Sequence, residues 1–184
     1  MVPGSTIETS ATPRPVAHPD APAPGRHLGE HHVDCFACGT GVDGLHLDIV
    51  AGEDLTLTAV FEVTTEHQGA PGLVHGGLVA AVFDEVMGAL QVFLQEPAVT
   101  ASLTTQYRRP IPVGTRLHVT SRLDRREGRK LWVSATGRLG AADGPLAAEA
   151  EALFIVVPQE HFEAGRRAEV DAARAEPGLR PVNP

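Results

Sequence analysis

The chain has 184 residues, 42% of them hydrophobic and 21% charged, with a formal net charge of −8. Those values describe a soluble globular protein with one domain's worth of core, and they exclude a fibrous or wholly disordered chain. The acidic balance also excludes a general affinity for nucleic acid or an anionic membrane surface, unless a local basic patch overrides it. Cys35 and Cys38 are the only cysteines, too few for the disulfide framework of a small secreted protein. The opening run MVPGSTIETSATPRPV has no apolar segment after a basic start, so no secretory signal is expected and a cytoplasmic location is.

Residues 1–30 are rich in Pro, Ala, Ser, Thr and Gly and lack periodicity, which predicts a disordered leader ahead of a domain over 31–158. The glycine-punctuated loop HHVDCFACGTGVDGLHL (31–47) follows. Its Cys35-x-x-Cys38, with His31 and His32 just upstream, offers four zinc donors. A structural zinc normally draws ligands from two separated segments, whereas these lie within eight residues. A turn that delivers the chain to the first strand is therefore favoured over a metal site or a redox pair. Next, LTLTAVFEV (55–63) places Leu55, Leu57, Ala59, Phe61 and Val63 on one face, the pattern of a half-buried strand.

The stretch GAPGLVHGGLVAAVFDEVMGALQVFL (69–94) is apolar enough for a buried helix, yet carries Asp84 and Glu85 in its middle and a histidine followed by two glycines near its start. Helix interiors disfavour glycine, and an unpaired buried carboxylate is costly, so something besides packing placed these residues. The two carboxylates also argue against a membrane span. Glu85 reads as a solvated or interface residue.

Four more strands are expected at 98–110, 115–126, 129–140 and 145–158, with REGR and ADGP as turns between them. Residues 159–184 form a peripheral, partly helical tail. Strands with one apolar face and a single helix apolar nearly all round imply an α+β fold. In it an antiparallel sheet of five or six strands curls about one long central helix.

GLVHGG, then Asp84 nine residues after His75, then TASLTTQYRRPIPVG (100–114), resemble the hotdog-fold acyl-CoA thioesterases of the phenylacetyl-CoA thioesterase-like branch. This branch belongs to the 4-hydroxybenzoyl-CoA thioesterase superfamily, and the resemblance spans roughly residues 35–157. It implies hydrolysis of an acyl-CoA to free acid and coenzyme A with no metal or redox cofactor. Asp84 is then the general base or nucleophile, and Thr100 helps hold the attacking water. A helix N-terminus supplies free N–H groups and partial positive charge, so the Gly76 N–H is the expected oxyanion donor. Gly77 permits close approach of substrate, and His75 sits at the N-cap. Nine helical residues turn through about 180° and rise roughly 13 Å, so His75 and Asp84 of one chain cannot share a site. The resemblance accordingly implies a homo-oligomer, dimer or tetramer, with sites between subunits.

Between residues 108 and 130, Arg108, Arg109, Arg116, Arg122, Arg125, Arg126, Arg129 and Lys130 face only Asp124 and Glu127, a local excess of +6. Guanidinium groups pair well with phosphate, and the resemblance assigns Gln106, Arg108, Arg129 and Lys130 to the nucleotide of coenzyme A. The alternative is the wet face of a sheet. In one respect the chain departs from some relatives, which have an asparagine six residues before the histidine where this chain has Gly69. His46 and Asp48 match the His-x-Asp of hotdog hydratases, but the surrounding motif is missing. A hotdog dehydratase and a non-catalytic acyl-CoA-binding protein are the rival readings.

Overall fold

The computed structural model describes residues 15–162. Strands β1 (Ile49–Ala51) and β2 (Thr56–Glu62) lead into a small hairpin, β3 (Gln68–Ala70) and β4 (Leu73–Val74). The helix α1 (Gly76–Gly88) follows and runs on as a 3-10 turn, Ala89–Phe93. The long strands β5 (Ala98–Tyr107), β6 (Arg116–Glu127), β7 (Lys130–Leu139) and β8 (Leu146–Val156) complete the domain. The main sheet has six antiparallel strands in the order β1-β2-β6-β7-β8-β5, and it curls around α1. This is the expected hotdog architecture, with one refinement. The helix is shorter than the apolar stretch, because Gly72, at φ +77, turns the chain between β3 and β4 before α1 can begin. Pro71 and the glycines favour that turn over helix.

Alternation in the sequence decides which face is buried. Leu57, Ala59, Phe61 and Val63 point inward from β2 and its end, as do Leu117, Val119 and Leu123 from β6 and Leu131, Val133 and Ala135 from β7. On α1 the inward residues are Val79, Val82, Phe83, Val86 and Met87, the i, i+3, i+4 rhythm of one helix face. By length and composition the run Gly76–Phe93 is apolar enough to cross a membrane. Here the sheet wraps it, and that apolar face is the centre of the core. The β6–β7 hairpin closes through Gly128, whose φ of +55 only glycine adopts freely.

Residues 15–30, expected to belong to a disordered leader, are instead tied to the domain. Leu28 N–H donates to Ile49 O, Gly25 N–H to Ala51 O, and Ala51 N–H to Arg26 O, so this segment covers the outer edge of β1. Further upstream His18 N–H donates to Phe93 O. Composition misled here because backbone pairing at a sheet edge needs no apolar period. Residues 1–14 and 163–184, most of the expected tail included, lie outside the described residues.

One polar side chain sits in the core. Ser121, on β6 and wholly buried, donates its hydroxyl to Val86 O of α1 at 2.9 Å. It occupies an inward position of the strand and pins the helix to the sheet near the start of its 3-10 turn. Ser121→Ala should lower stability by about 1 kcal/mol. Urea unfolding of both proteins at equal concentration measures this, and an unchanged midpoint would mean that the bond contributes nothing.

Candidate active site

The N-terminus of α1 is built by a short constellation of backbone contacts. His75 is extended, at φ −69 and ψ 126, and its Nδ1 accepts the Gly77 N–H at 3.0 Å. A Cβ on Gly77 would lie 3.0 Å from that nitrogen, so glycine is what lets the imidazole cap its own helix. The Gly76 N–H has no acceptor among the described residues. Gly76 O accepts the Tyr107 hydroxyl at 2.7 Å, which fastens the helix start to the end of β5. Tyr107 was not singled out from the sequence, although it is the only tyrosine. The substitution at Gly69 also has a reason. A Cβ there would stand 2.7 Å from His75 Cα, so this backbone leaves no room for an asparagine.

Two turns along the helix, Asp84 is half-buried and its Oδ1 accepts the Thr100 hydroxyl at 2.8 Å. A hydroxyl has one proton and two lone pairs. Thr100 spends its proton on Asp84, leaving Asp84 Oδ2 and the lone pairs of Thr100 free to hold a water between them. Both residues line a cavity of about 550 Å³ whose apolar walls include Leu28, Ile49, Val92, Val99 and Phe154. Gly76 belongs to a different cavity, about 300 Å³, together with Val74, Val79, Tyr107, Arg108 and Arg109. Eight helical residues, roughly 12 Å, separate the two ends. Each chain thus holds a carboxylate in one cavity and a helix N-terminus in another.

The basic cluster is largely neutralised. Glu149 pairs with Arg108, which also meets Gln106. Arg116 pairs with Glu62, Arg122 with Asp124 and Arg125 with Glu127. Arg125 also stacks 3.5 Å over Trp132. Arg126 grips both oxygens of Glu96, at 2.7 and 2.9 Å, and that bond holds its pKa above the ordinary value. Glu62, Glu96 and Glu149 come from outside residues 108–130, so the local excess of +6 is not a patch of free cations. Arg109 donates to Leu146 O and Arg129 to Val156 O. Nor do the four expected nucleotide-binding residues meet within one chain. Gln106 faces Glu149 on β8, whereas Lys130 faces Ile155, six residues further along that strand, or roughly 20 Å.

The cysteine loop is more than a turn. His31, Cys35, Cys38 and Glu85 converge, although His32 instead accepts the Asp34 N–H. Glu85, expected to be a solvated or interface residue, faces this loop with a side chain only 15% exposed. Burial, aided by a hydrogen bond to Glu85, pushes the Cys38 thiol up to about 12. His46 and Asp48 do not form a site. His46 bonds Gly39 O and Asp48 bonds His27.

Similarity to known proteins agrees with the hotdog architecture. The E. coli PaaI protein from the phenylacetic acid degradation operon shares the fold at a TM-score of 0.59 and 16% identity, over 66% of this chain and 85% of that one. A putative thioesterase, a phenylacetic acid degradation-related protein from Ralstonia eutropha JMP134, is 28% identical with a TM-score of 0.54, over 61% and 86% of the two chains. Acyl-coenzyme A thioesterase THEM4 of Xenopus laevis is 37% identical over 99 residues, 54% of this chain and 44% of that protein. The chain therefore spans less than half the length of that relative. Residues 71–140, from the β3–β4 turn to the end of β7, match the model of the thioesterase superfamily. Over that span the hotdog domain is similar to the thioesterase superfamily.

The contact at Gly69 gives a direct check on how tightly the helix entrance is built. Gly69→Ala must push His75 and the start of α1 aside, at an expected cost of about 1–3 kcal/mol. Thermal unfolding would register it, and an unchanged Tm would show that the β3–β4 hairpin yields freely.

Proposed function

We propose that this protein is an acyl-CoA thioesterase whose active site is completed by a second copy of the chain. The observation that carries the proposal is the Asp84–Thr100 pair on the wall of a cavity of about 550 Å³ that is partly lined by apolar side chains. A carboxylate placed there serves hydrolysis of a substrate with an apolar tail. Asp84 takes a proton from a water held against Thr100, and the water oxygen attacks the thioester carbonyl. Negative charge collects on the carbonyl oxygen and is met by the Gly76 N–H at a helix N-terminus. Collapse breaks the C–S bond, the proton held by Asp84 passes to the departing sulfur, coenzyme A leaves as the thiol, and the acid is released. Attack by Asp84 itself, through an anhydride, uses the same placement.

Several features support the shared site. β5 is a ten-residue edge strand that fully buries only Ala98, while β6, β7 and β8 bury alternate residues along much of their length. Residues 25–28 cover the β1 edge, but among the described residues nothing covers that of β5. A long open edge is a pairing surface. Tyr107 meets Gly76 and Thr100 meets Asp84, so α1 runs antiparallel to β5. Antiparallel pairing of two β5 strands therefore carries Gly76 of one subunit toward Asp84 of the other. It also brings Arg108 of the first to the end of the sheet where Arg129 and Lys130 of the second lie, a place for the phosphates of coenzyme A. A cytoplasmic role in lipid or aromatic acid metabolism is consistent with this substrate class.

A panel of acyl-CoAs, with released thiol detected by a chromogenic reagent, tests the reading. Asp84→Asn keeps the shape and removes the base, so kcat should fall about a hundredfold or more while binding and Tm persist. Hydrolysis by the variant within a few-fold of wild type would remove Asp84 from the chemistry. A wild type that binds acyl-CoA and hydrolyses none would leave a binding protein.

A further inference from the structure

The side chains of His31, Cys35, Cys38 and Glu85 each offer one ligand atom, and the four atoms lie within 4.8 Å of one another. His31 Nδ1 is 3.1 Å from Cys38 Sγ and 3.3 Å from a Glu85 oxygen, while Cys35 Sγ is 3.8 Å from the other Glu85 oxygen. A tetrahedral zinc with bonds of about 2.0 Å to N or O and 2.3 Å to S spaces its ligand atoms roughly 3.3–3.8 Å apart. The three separations above lie near those values, and the rest of the cluster, all within 4.8 Å, must draw in by about 1 Å at most to match the cage. The objection that these donors lie in one short segment is met by Glu85, which comes from α1, fifty residues away from Cys35.

The surroundings are also those of a metal loop. Ala37 N–H donates to Cys35 Sγ at 3.4 Å, and Gly39 N–H to Cys35 O at 2.8 Å, so the backbone folds around the sulfur. The Ala37 N–H stabilises a thiolate at Cys35 and aims it. A Cβ on Gly39 would fall 2.4 Å from Val33 O, so only glycine permits this turn. His46 holds the same loop through Gly39 O. Two sulfurs, an imidazole and a carboxylate form a donor set that suits zinc and fills all four positions, which makes the site structural.

We propose that these four residues bind one zinc ion per chain, clamping the 31–39 loop to α1 at the residue next to Asp84. The two thiols release their protons to solvent as the metal binds. Gly29, His31 and Glu85 line the same cavity as Asp84, so the ion shapes that wall without entering the reaction. The inference stands apart from the thioesterase reading, since its test measures no turnover.

Full-length protein, stripped of metal with a chelator and kept reduced, would be titrated with cobalt(II), which reports tetrahedral thiolate ligation by its colour. The proposal expects a thiolate-to-cobalt charge-transfer band with visible tetrahedral bands, saturating at one cobalt per chain and bleached by equimolar zinc. Glu85→Gln, which preserves shape, should weaken cobalt binding by about tenfold or more. Cys35→Ser with Cys38→Ser should abolish the charge-transfer band. Zinc should raise the Tm of the stripped wild type, which keeps the test independent of whether the double variant folds. No charge-transfer band with both thiols titratable, or binding indifferent to Glu85→Gln, would overturn the proposal. So would a Cys35–Cys38 disulfide that forms readily in air while excess zinc is present.

Discussion

Two hydrogen bonds fasten the central helix to the edge strand. The Tyr107 hydroxyl holds the first residue of α1, and Asp84, two turns further on, holds the Thr100 hydroxyl. They set the direction of α1 against β5 and place a carboxylate and a helix N-terminus at opposite ends of one interface. Because a helix rises about 1.5 Å per residue, those two groups cannot serve one thioester within one chain. The length of the helix between them is the constraint from which the proposed shared site follows.

The rest of the domain keeps that helix in place. Its Val79, Val82, Phe83, Val86 and Met87 are sunk in a sheet that curls around them, and Ser121 anchors it from the core side. Glu85 holds it from the loop side through His31 and Cys35. Adjacent carboxylates therefore have separate duties. Both line the cavity, but Asp84 turns toward Thr100 while Glu85 turns toward the sulfur-rich loop. Neighbouring helix positions point about 100° apart, which is enough to address two different surroundings.

The strands, their inward residues and the helix were legible because burial imposes a period of two or 3.6, and that period survives without knowledge of partners. The Asp84–Thr100 pair was legible only through the family resemblance, since nothing local links residues sixteen apart. Other features depend on partners distant in sequence. The arginines looked free because Glu62, Glu96 and Glu149 lie outside the segment that was counted. The cysteine loop looked too short for a metal because its fourth donor is on α1. Residues 15–30 looked unstructured because edge pairing uses backbone, which carries no side-chain signature. Gly69 looked like a loss, yet its missing side chain is what admits His75.

The shared site is the central claim, and refolded hybrids of two inactive chains test it most directly. One chain carries Asp84→Asn. The other carries Gly76→Pro, which deletes the oxyanion N–H at a first helical position where proline fits. Its predecessor His75 is already extended, at φ −69 and ψ 126, as a residue before proline must be. The new Cβ would meet only the hydroxyl end of Tyr107, at 3.3 Å. With differently tagged chains unfolded and refolded together, about half the dimers are hybrids, each with one intact pairing of Asp84 and Gly76. The account predicts that activity returns to about a quarter of wild type. A mixture that stays inactive, although doubly tagged hybrids are recovered from it, would contradict the account.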